Sequence, residues 1–99
     1  MNCISYEDFF GNFSSRTKLR IIMSLRKKAL SVSELSKLLG EEQSKISHSL
    51  KKLARCNILL VKQDGKKRIY SLNKETVMPM LSLVDKHVRD HCDRRCKEC

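Results

Sequence analysis

Residues 31–55 read SVSELSKLLGEEQSKISHSLKKLAR and contain the start and stop signals of a short helix. Ser31 and Glu34 have the spacing of a capping box, in which a serine precedes the helix and a glutamate three residues later bonds back to it. Gly40 suits the left-handed residue that commonly follows the last turn. The stretch therefore predicts a first helix that begins at about Val32 and ends just before Gly40.

A second helix is predicted immediately afterwards, over about residues 42–55. Its apolar residues recur at intervals of three or four and form one stripe, which consists of Ile46, Leu50, Leu53 and Ala54. Glu41 and Glu42 suit the positive end of that helix dipole. Two helices joined by a tight turn that contains glycine predict a helix-turn-helix over about residues 32–55.

The pattern changes from helical to extended after this pair of helices. Residues 57–61 (NILLV) are apolar and β-prone, Asp64-Gly65 is a hairpin turn signal, and residues 68–72 (RIYSL) alternate in polarity. A β-hairpin over about residues 58–72 that follows a helix-turn-helix is a wing. The predicted fold class is mainly α with a small β-hairpin, a winged helix-turn-helix in one domain.

The remaining segments predict helices at both ends of the chain. An aromatic helix is expected over residues 6–13, a second over 16–28 and a third over about 74–96, where Pro79 marks either the start of the helix or a kink. One helix cannot bury the apolar stripe of this last segment alone. We therefore expect a homodimer that pairs through its terminal helices, with an interface that includes Val77, Leu81, Val84 and Val88.

The 99-residue chain has a net charge of +10, which indicates an anionic partner. No apolar run approaches the ~20 residues that a membrane span needs. The N-terminal residues MNCISYEDFF lack the basic and then apolar order of a signal peptide. The basic residues are divided between a helix and a hairpin, which is unlike an amphipathic membrane helix. We expect a cytoplasmic protein that binds nucleic acid and no membrane.

The face of the second helix opposite its apolar stripe is polar and basic. This face consists of Gln43, Ser44, Lys45, Ser47, His48, Lys51, Lys52 and Arg55. Glutamine can bond adenine, lysine can reach guanine, and serine can contact base or phosphate, so the face suits the major groove of double-stranded DNA. The wing adds Lys66, Lys67 and Arg68 for the flanking backbone.

The sequence resembles the ArsR-type winged helix-turn-helix regulators. The resemblance covers most of residues 16–72 and is carried by residues 31–40 (SVSELSKLLG), 43–53 (QSKISHSLKKL) and 64–72 (DGKKRIYSL). It implies a homodimer that binds an operator palindrome and represses transcription, and in many members a metal ion or an oxidant releases the DNA.

Two familiar sensor sites of that family are not matched here. Where thiols would stand at the first helix of the helix-turn-helix, this chain has Ser31, Ser33 and Ser36. At the early positions of the last helix it has Lys74 and Thr76. The late positions fall on His87 and Asp90, so at best half of that site is kept.

The chain ends in a group of cysteines, with Cys92, Cys96 and Cys99 spaced four and three residues apart. On a helix they share one face, and they could extend the apolar dimer seam as small hydrophobic residues. Together with His91 or His87 they could also hold zinc, which takes four thiolate or imidazole ligands. A third interpretation is redox sensing through disulfides between subunits. Basic neighbours lower thiol pKa values and favour both metal binding and oxidation.

No catalytic constellation appears in the sequence, so we expect no enzyme. Two alternatives to a sequence-specific regulator stay open. One is a thiol-based metal-binding or redox protein that uses the cysteine tail, and the other is an architectural protein that coats DNA without specificity. The polar residues Gln43, Ser44 and Ser47 argue against the second alternative.

Overall fold

Five helices and a small antiparallel sheet form the part of the chain that the computed structural model describes, residues 5–92. In chain order the elements are α1 (Tyr6–Ser14), α2 (Arg16–Leu25), β1 (Leu30–Ser31), α3 (Val32–Leu39), α4 (Gln43–Arg55), β2 (Leu59–Asp64), β3 (Lys67–Leu72) and α5 (Val77–His91). This is the winged helix-turn-helix architecture that the sequence predicts. None of the helices described is long and apolar enough to cross a membrane.

The boundaries of α3 follow from its capping residues. The hydroxyl of Ser31 accepts from the backbone N–H of Glu34 at 3.2 Å, and the backbone N–H of Ser31 donates to the Glu34 carboxylate at 2.9 Å. Gly40 ends the helix with φ 67° and ψ 33°, and its N–H donates to the carbonyl of Ser36 at 2.9 Å. The capping box and the left-handed glycine are therefore confirmed, and they fix the turn that leads into α4.

The core lies between the helix-turn-helix, α2 and the sheet. Ile46, Leu50 and Leu53 of α4 are fully buried. They pack in one cluster with buried residues that include Ile21, Ile22, Leu35, Ile58, Leu59 and Tyr70, and the partly buried Phe9 and Phe13 of α1 pack against this cluster. Burying a side chain of this size contributes about 1.5–3 kcal/mol. This burial fixes the rotation of α4 and leaves its opposite face in solvent.

The sheet contains one more strand than the predicted hairpin. Its order is β1-β3-β2, and Leu30 of β1 pairs with Tyr70 of β3. In the hairpin Asp64 pairs with Lys67, so Asp64 ends a strand and the loop consists of Gly65 and Lys66. Gly65 has φ 63°, the left-handed conformation that glycine adopts without strain.

Helix α5 is shorter than the predicted span of residues 74–96. The side-chain carbonyl of Asn73 accepts from the backbone N–H groups of Glu75 and Thr76 at 3.0 and 3.3 Å, and this local turn delays the helix. Pro79 is the third helical residue, where its missing N–H costs no helical bond, so it marks the start of the helix. The helix ends at His91, and the predicted continuation over residues 93–96 lies outside the described residues.

Two residues predicted for the dimer interface belong to the core of this chain. Val77 is 1% exposed and Leu81 is 6% exposed, because the first turns of α5 pack against the body of the domain. Val84 and Val88, further along the same helix, are 47% and 39% exposed. Only this second half of the predicted stripe is presented to solvent.

Candidate nucleic-acid interface

The outward face of α4 presents the side chains that the sequence assigns to it. Seven of them are exposed, and they are Gln43, Ser44, Lys45, His48, Lys51, Lys52 and Arg55. Ser47 is half-buried, because it lies next to the buried Ile46 at the edge of the apolar stripe. The helix therefore divides into a largely apolar inner face, on which Ser49 is the buried polar residue, and a polar, basic outer face.

The wing, defined here as residues 59–72, carries cations on the same side as the end of α4. Lys66, Lys67 and Arg68 are all exposed at or beside its loop. Arg68 also lines an open cleft between the wing and α4, together with Lys51 and Arg55 of the helix. Three cations around one cleft form a site suited to phosphate groups, which bind guanidinium and ammonium donors through charge-assisted hydrogen bonds.

The turn before α4 contains an ion-pair network that the sequence analysis missed. The Glu41 carboxylate lies 3.2 Å from the Lys45 ammonium and 3.8 Å from the Arg20 guanidinium. The four-residue spacing of Glu41 and Lys45 is a recognisable signal for a pair along one helix face. No comparable signal marks Arg20, which comes from α2.

A second surface, here called the apolar groove, lies between α1, α2 and α5. It is lined by Phe10, Phe13, Leu19, Met23, Met80, Leu81, Val84 and Val88, with Arg26, Asp85 and Arg89 also lining it. Phe10 is 56% exposed and Met23 is 43% exposed. The sequence predicted that the terminal helices contribute to an apolar surface, whereas the contribution of Leu19 and Met23 of α2 was not predicted.

Half of the predicted metal ligands lie within the described residues. His91 is exposed, and Cys92 is half-buried and has a free thiol. Cys96 and Cys99 lie outside the described residues. Within residues 5–92 there is no group of three or more histidine, cysteine or acidic side chains that could hold a metal ion. The His87 and His91 rings are 4.8 Å apart on α5.

Cys56 directly follows α4 and is disulfide-bonded. The side-chain amide of the buried Asn12 in α1 lies 3.2 Å from its sulfur. Asn12 also accepts a hydrogen bond from the Lys18 ammonium at 3.1 Å. Burial lowers the pKa of Lys18, and the positive charge of Lys52 lowers it further. These contacts connect the N-terminal helices to the C-terminal end of α4.

Comparison with known proteins agrees with this geometry. Residues 15–61, which span α2 to the middle of β2, match the model of the family described as bacterial regulatory protein, arsR family. No curated protein matches the chain in sequence.

Solved structures similar to this chain include regulators of the same kind. The transcriptional regulator HlyU from Vibrio vulnificus is 26% identical with a TM-score of 0.70, and the match covers 80% of this chain and 82% of that chain. The transcriptional repressor BigR from Xylella fastidiosa is 22% identical with a TM-score of 0.71, and the coverage is 88% and 86%.

A third structure is the homodimeric winged helix-turn-helix DNA-binding domain of Mb0332 from Mycobacterium bovis, a possible ArsR-family regulator. It is 18% identical with a TM-score of 0.79, and the match covers 86% of this chain and 79% of that chain. The last two structures show the fold alone at these identities. The match of the family model to residues 15–61 and the shared fold make this chain similar to the ArsR-type winged helix-turn-helix transcriptional regulators.

Proposed function

We propose that the protein is a sequence-specific repressor that binds double-stranded DNA as a homodimer. In this proposal α4 is the recognition helix and lies in the major groove. The observation that carries the proposal is the division of α4 into a buried apolar face and an exposed basic face that contains no acidic residue. A surface of this kind combines phosphate-binding cations with hydrogen-bonding groups for base edges.

The two ends of α4 have different roles in this proposal. Gln43, Ser44 and Lys45 lie at the N-terminal end, the part of a recognition helix that usually contacts base edges. Lys51 and Arg55 lie at the C-terminal end and share the basic cleft with Arg68 of the wing. We assign the first group to sequence recognition and the second to the DNA backbone.

The homodimer is supported by the apolar groove. A monomeric protein in water rarely exposes a large contiguous apolar surface, and such a surface usually marks a site that a partner covers. Phe10, Val84 and Val88 come from the first and last helices, as expected for pairing through the ends of the chain. The Mb0332 domain, which has the same fold, is a homodimer. A two-fold axis would then present two recognition helices about 34 Å apart on one face of the duplex.

Selection from a pool of random DNA duplexes tests the proposal. The expected result is enrichment of a palindromic sequence whose half-sites are separated by about one helical turn. Parallel selections with reductant and with zinc would show whether either one changes binding. Failure to enrich any duplex, in every condition and at low salt, would contradict the proposal.

A second candidate function is thiol-based redox control of the same DNA binding. The observation that favours it is the disulfide-bonded Cys56 at the C-terminal end of α4, in contact with Asn12 of α1. Reduction would then change duplex affinity in the parent but not in Cys56→Ser. Equal affinity of the parent with and without reductant would count against this candidate.

Zinc binding by His91, Cys92, Cys96 and Cys99 stays a prediction from the sequence. Native mass spectrometry of the full chain tests it directly, since stoichiometric zinc would add a fixed mass to each subunit. Loss of that mass in Cys96→Ser would support ligation by the tail. Retention of the mass in this variant would count against it.

A further inference from the structure

One of the two acidic residues that precede α4 is paired with a residue in the first turn of that helix. Glu41 lies in the turn between α3 and α4 and is 25% exposed at its side chain. One carboxylate oxygen, Oε2, lies 3.2 Å from Nζ of Lys45, whose side chain is 55% exposed on the outward face. The other oxygen, Oε1, lies 3.8 Å from Nη1 of Arg20.

Contacts with α2 and α3 hold Glu41 in this position. The backbone N–H of Glu41 donates to the carbonyl of Ser36 at 3.2 Å, and the Ser36 hydroxyl donates to the Glu41 carbonyl. Arg20 also donates from Nη2 to the carbonyl of Leu39, the last residue of α3, at 3.1 Å. The carboxylate is therefore positioned before any ligand arrives, so little conformational entropy is lost when it pairs with Lys45.

The Glu41–Lys45 ion pair should weaken binding to DNA of arbitrary sequence more than it weakens binding to a matching operator site. Binding to arbitrary DNA depends on cation–phosphate attraction, which is weakened where a lysine is already paired and a carboxylate faces the phosphates. A matching base edge offers Lys45 a directional acceptor that compensates for the lost ion pair. Specificity is a difference between affinities, and it increases when the wrong partner is penalised more than the right one.

We propose that Glu41 is a specificity-determining residue that holds Lys45 in the free protein and suppresses binding to DNA of arbitrary sequence. The inference rests on the proposed function, because it assigns a role to a neighbour of the proposed recognition surface. Glu41 acts through Lys45 and contacts no base itself. Arg20 acts one step further away, as the residue that positions the carboxylate.

The test compares Glu41→Gln with Glu42→Gln. Both substitutions remove one negative charge from the same turn. Glu42 is exposed and makes no ion pair within residues 5–92, so it reports the effect of charge alone. Dissociation constants are measured for the selected operator and for a duplex of scrambled sequence, at several salt concentrations.

Glu41→Gln is expected to bind the scrambled duplex about three- to fivefold more tightly than Glu42→Gln does. A change of this size corresponds to the upper range of the interaction free energy of an exposed ion pair. Operator affinity should change less, so the ratio of the two affinities falls. Glu41→Asp keeps the charge but shortens the side chain, and it should lower the same ratio.

Lys45→Ala provides the second arm of the experiment. In this background the difference between the Glu41 and Glu42 variants should disappear, because the lysine that Glu41 holds is absent. Equal effects of the two glutamate variants in the parent background would overturn the inference, and so would a difference that persists without Lys45. Those results would leave the proposed function intact, whereas a parent that binds no duplex would overturn both.

Discussion

Arg26 of α2 and Asp85 of α5 form a two-pronged ion pair across the domain. Nη1 of Arg26 donates to Oδ1 of Asp85 at 3.1 Å, and Nη2 donates to Oδ2. The hydrogen bond from Arg26 and, to a smaller extent, its positive charge lower the pKa of Asp85. Both residues line the apolar groove, so the pair fixes the position of α5 where we expect a second subunit to dock.

We expect Asp85→Asn to destabilise the domain in a pH-dependent manner. A carboxyl group whose pKa is lower in the folded state stabilises the fold above its unfolded pKa of about 4 and stops doing so as pH falls through the folded value. The variant should therefore melt below the parent at neutral pH, and the gap should close in acid.

Thermal unfolding followed by circular dichroism from neutral to acidic pH provides this measurement. Asp90→Asn is the matched control, because Asp90 lies on the same helix and its ion pair within residues 5–92 is a long 3.9 Å contact with the neighbouring Arg89. A melting difference for Asp85→Asn that stays constant over the whole pH range would show that the ion pair is not its cause.

Val84→Asp should separate the subunits. Val84 lines the apolar groove, and a carboxylate there would have to be desolvated in the dimer, so the dimerisation constant should weaken by about tenfold or more. Leu83 is its neighbour and is 69% exposed, but it does not line the groove. Sedimentation velocity should show that Leu83→Asp remains dimeric. Equal behaviour of the two variants would place the interface elsewhere.

Ser31→Ala should lower the free energy of unfolding by about 1 kcal/mol, because it removes the side-chain cap of α3. The backbone hydrogen bond from Ser31, followed by its side-chain hydrogen bond, lowers the pKa of Glu34, so that pKa should rise in the variant. Urea denaturation and an NMR titration measure the two effects. Lys37→Ala alters an exposed residue of the same helix and should change stability by less than about 0.5 kcal/mol.

The parts of the fold that depend on local chemistry were predictable from the sequence. The Ser31–Glu34 box, the left-handed Gly40 and the hairpin around Gly65 each act within a few residues, and each is where the pattern places it. Strand β1 was missed because a two-residue strand has no periodicity of its own. It exists only because Leu30 meets Tyr70, far along the chain.

The same distinction between local and long-range signals applies to the candidate site. The outward face of α4 could be predicted, because a helix that buries one apolar stripe must expose the opposite residues. The network around Glu41 could not be predicted in full, because Arg20 reaches it from another helix. Periodicity shows that one face of α5 is apolar, but it does not show what covers that face. The sequence therefore assigned Val77 and Leu81 to a subunit interface, whereas in the structure they are buried in the core of the same chain.

The central claim is that the outer face of α4 recognises the sequence of double-stranded DNA while the wing binds its backbone. The most direct test measures the affinity of the parent, Lys45→Ala and Lys67→Ala for the selected operator and for a scrambled duplex over a range of salt concentrations. Lys45→Ala should lose operator affinity and change sequence preference. Lys67→Ala should weaken both duplexes alike and reduce the salt slope by about 1. If both variants bound both duplexes as the parent does, the assignment of α4 and the wing to DNA would be contradicted.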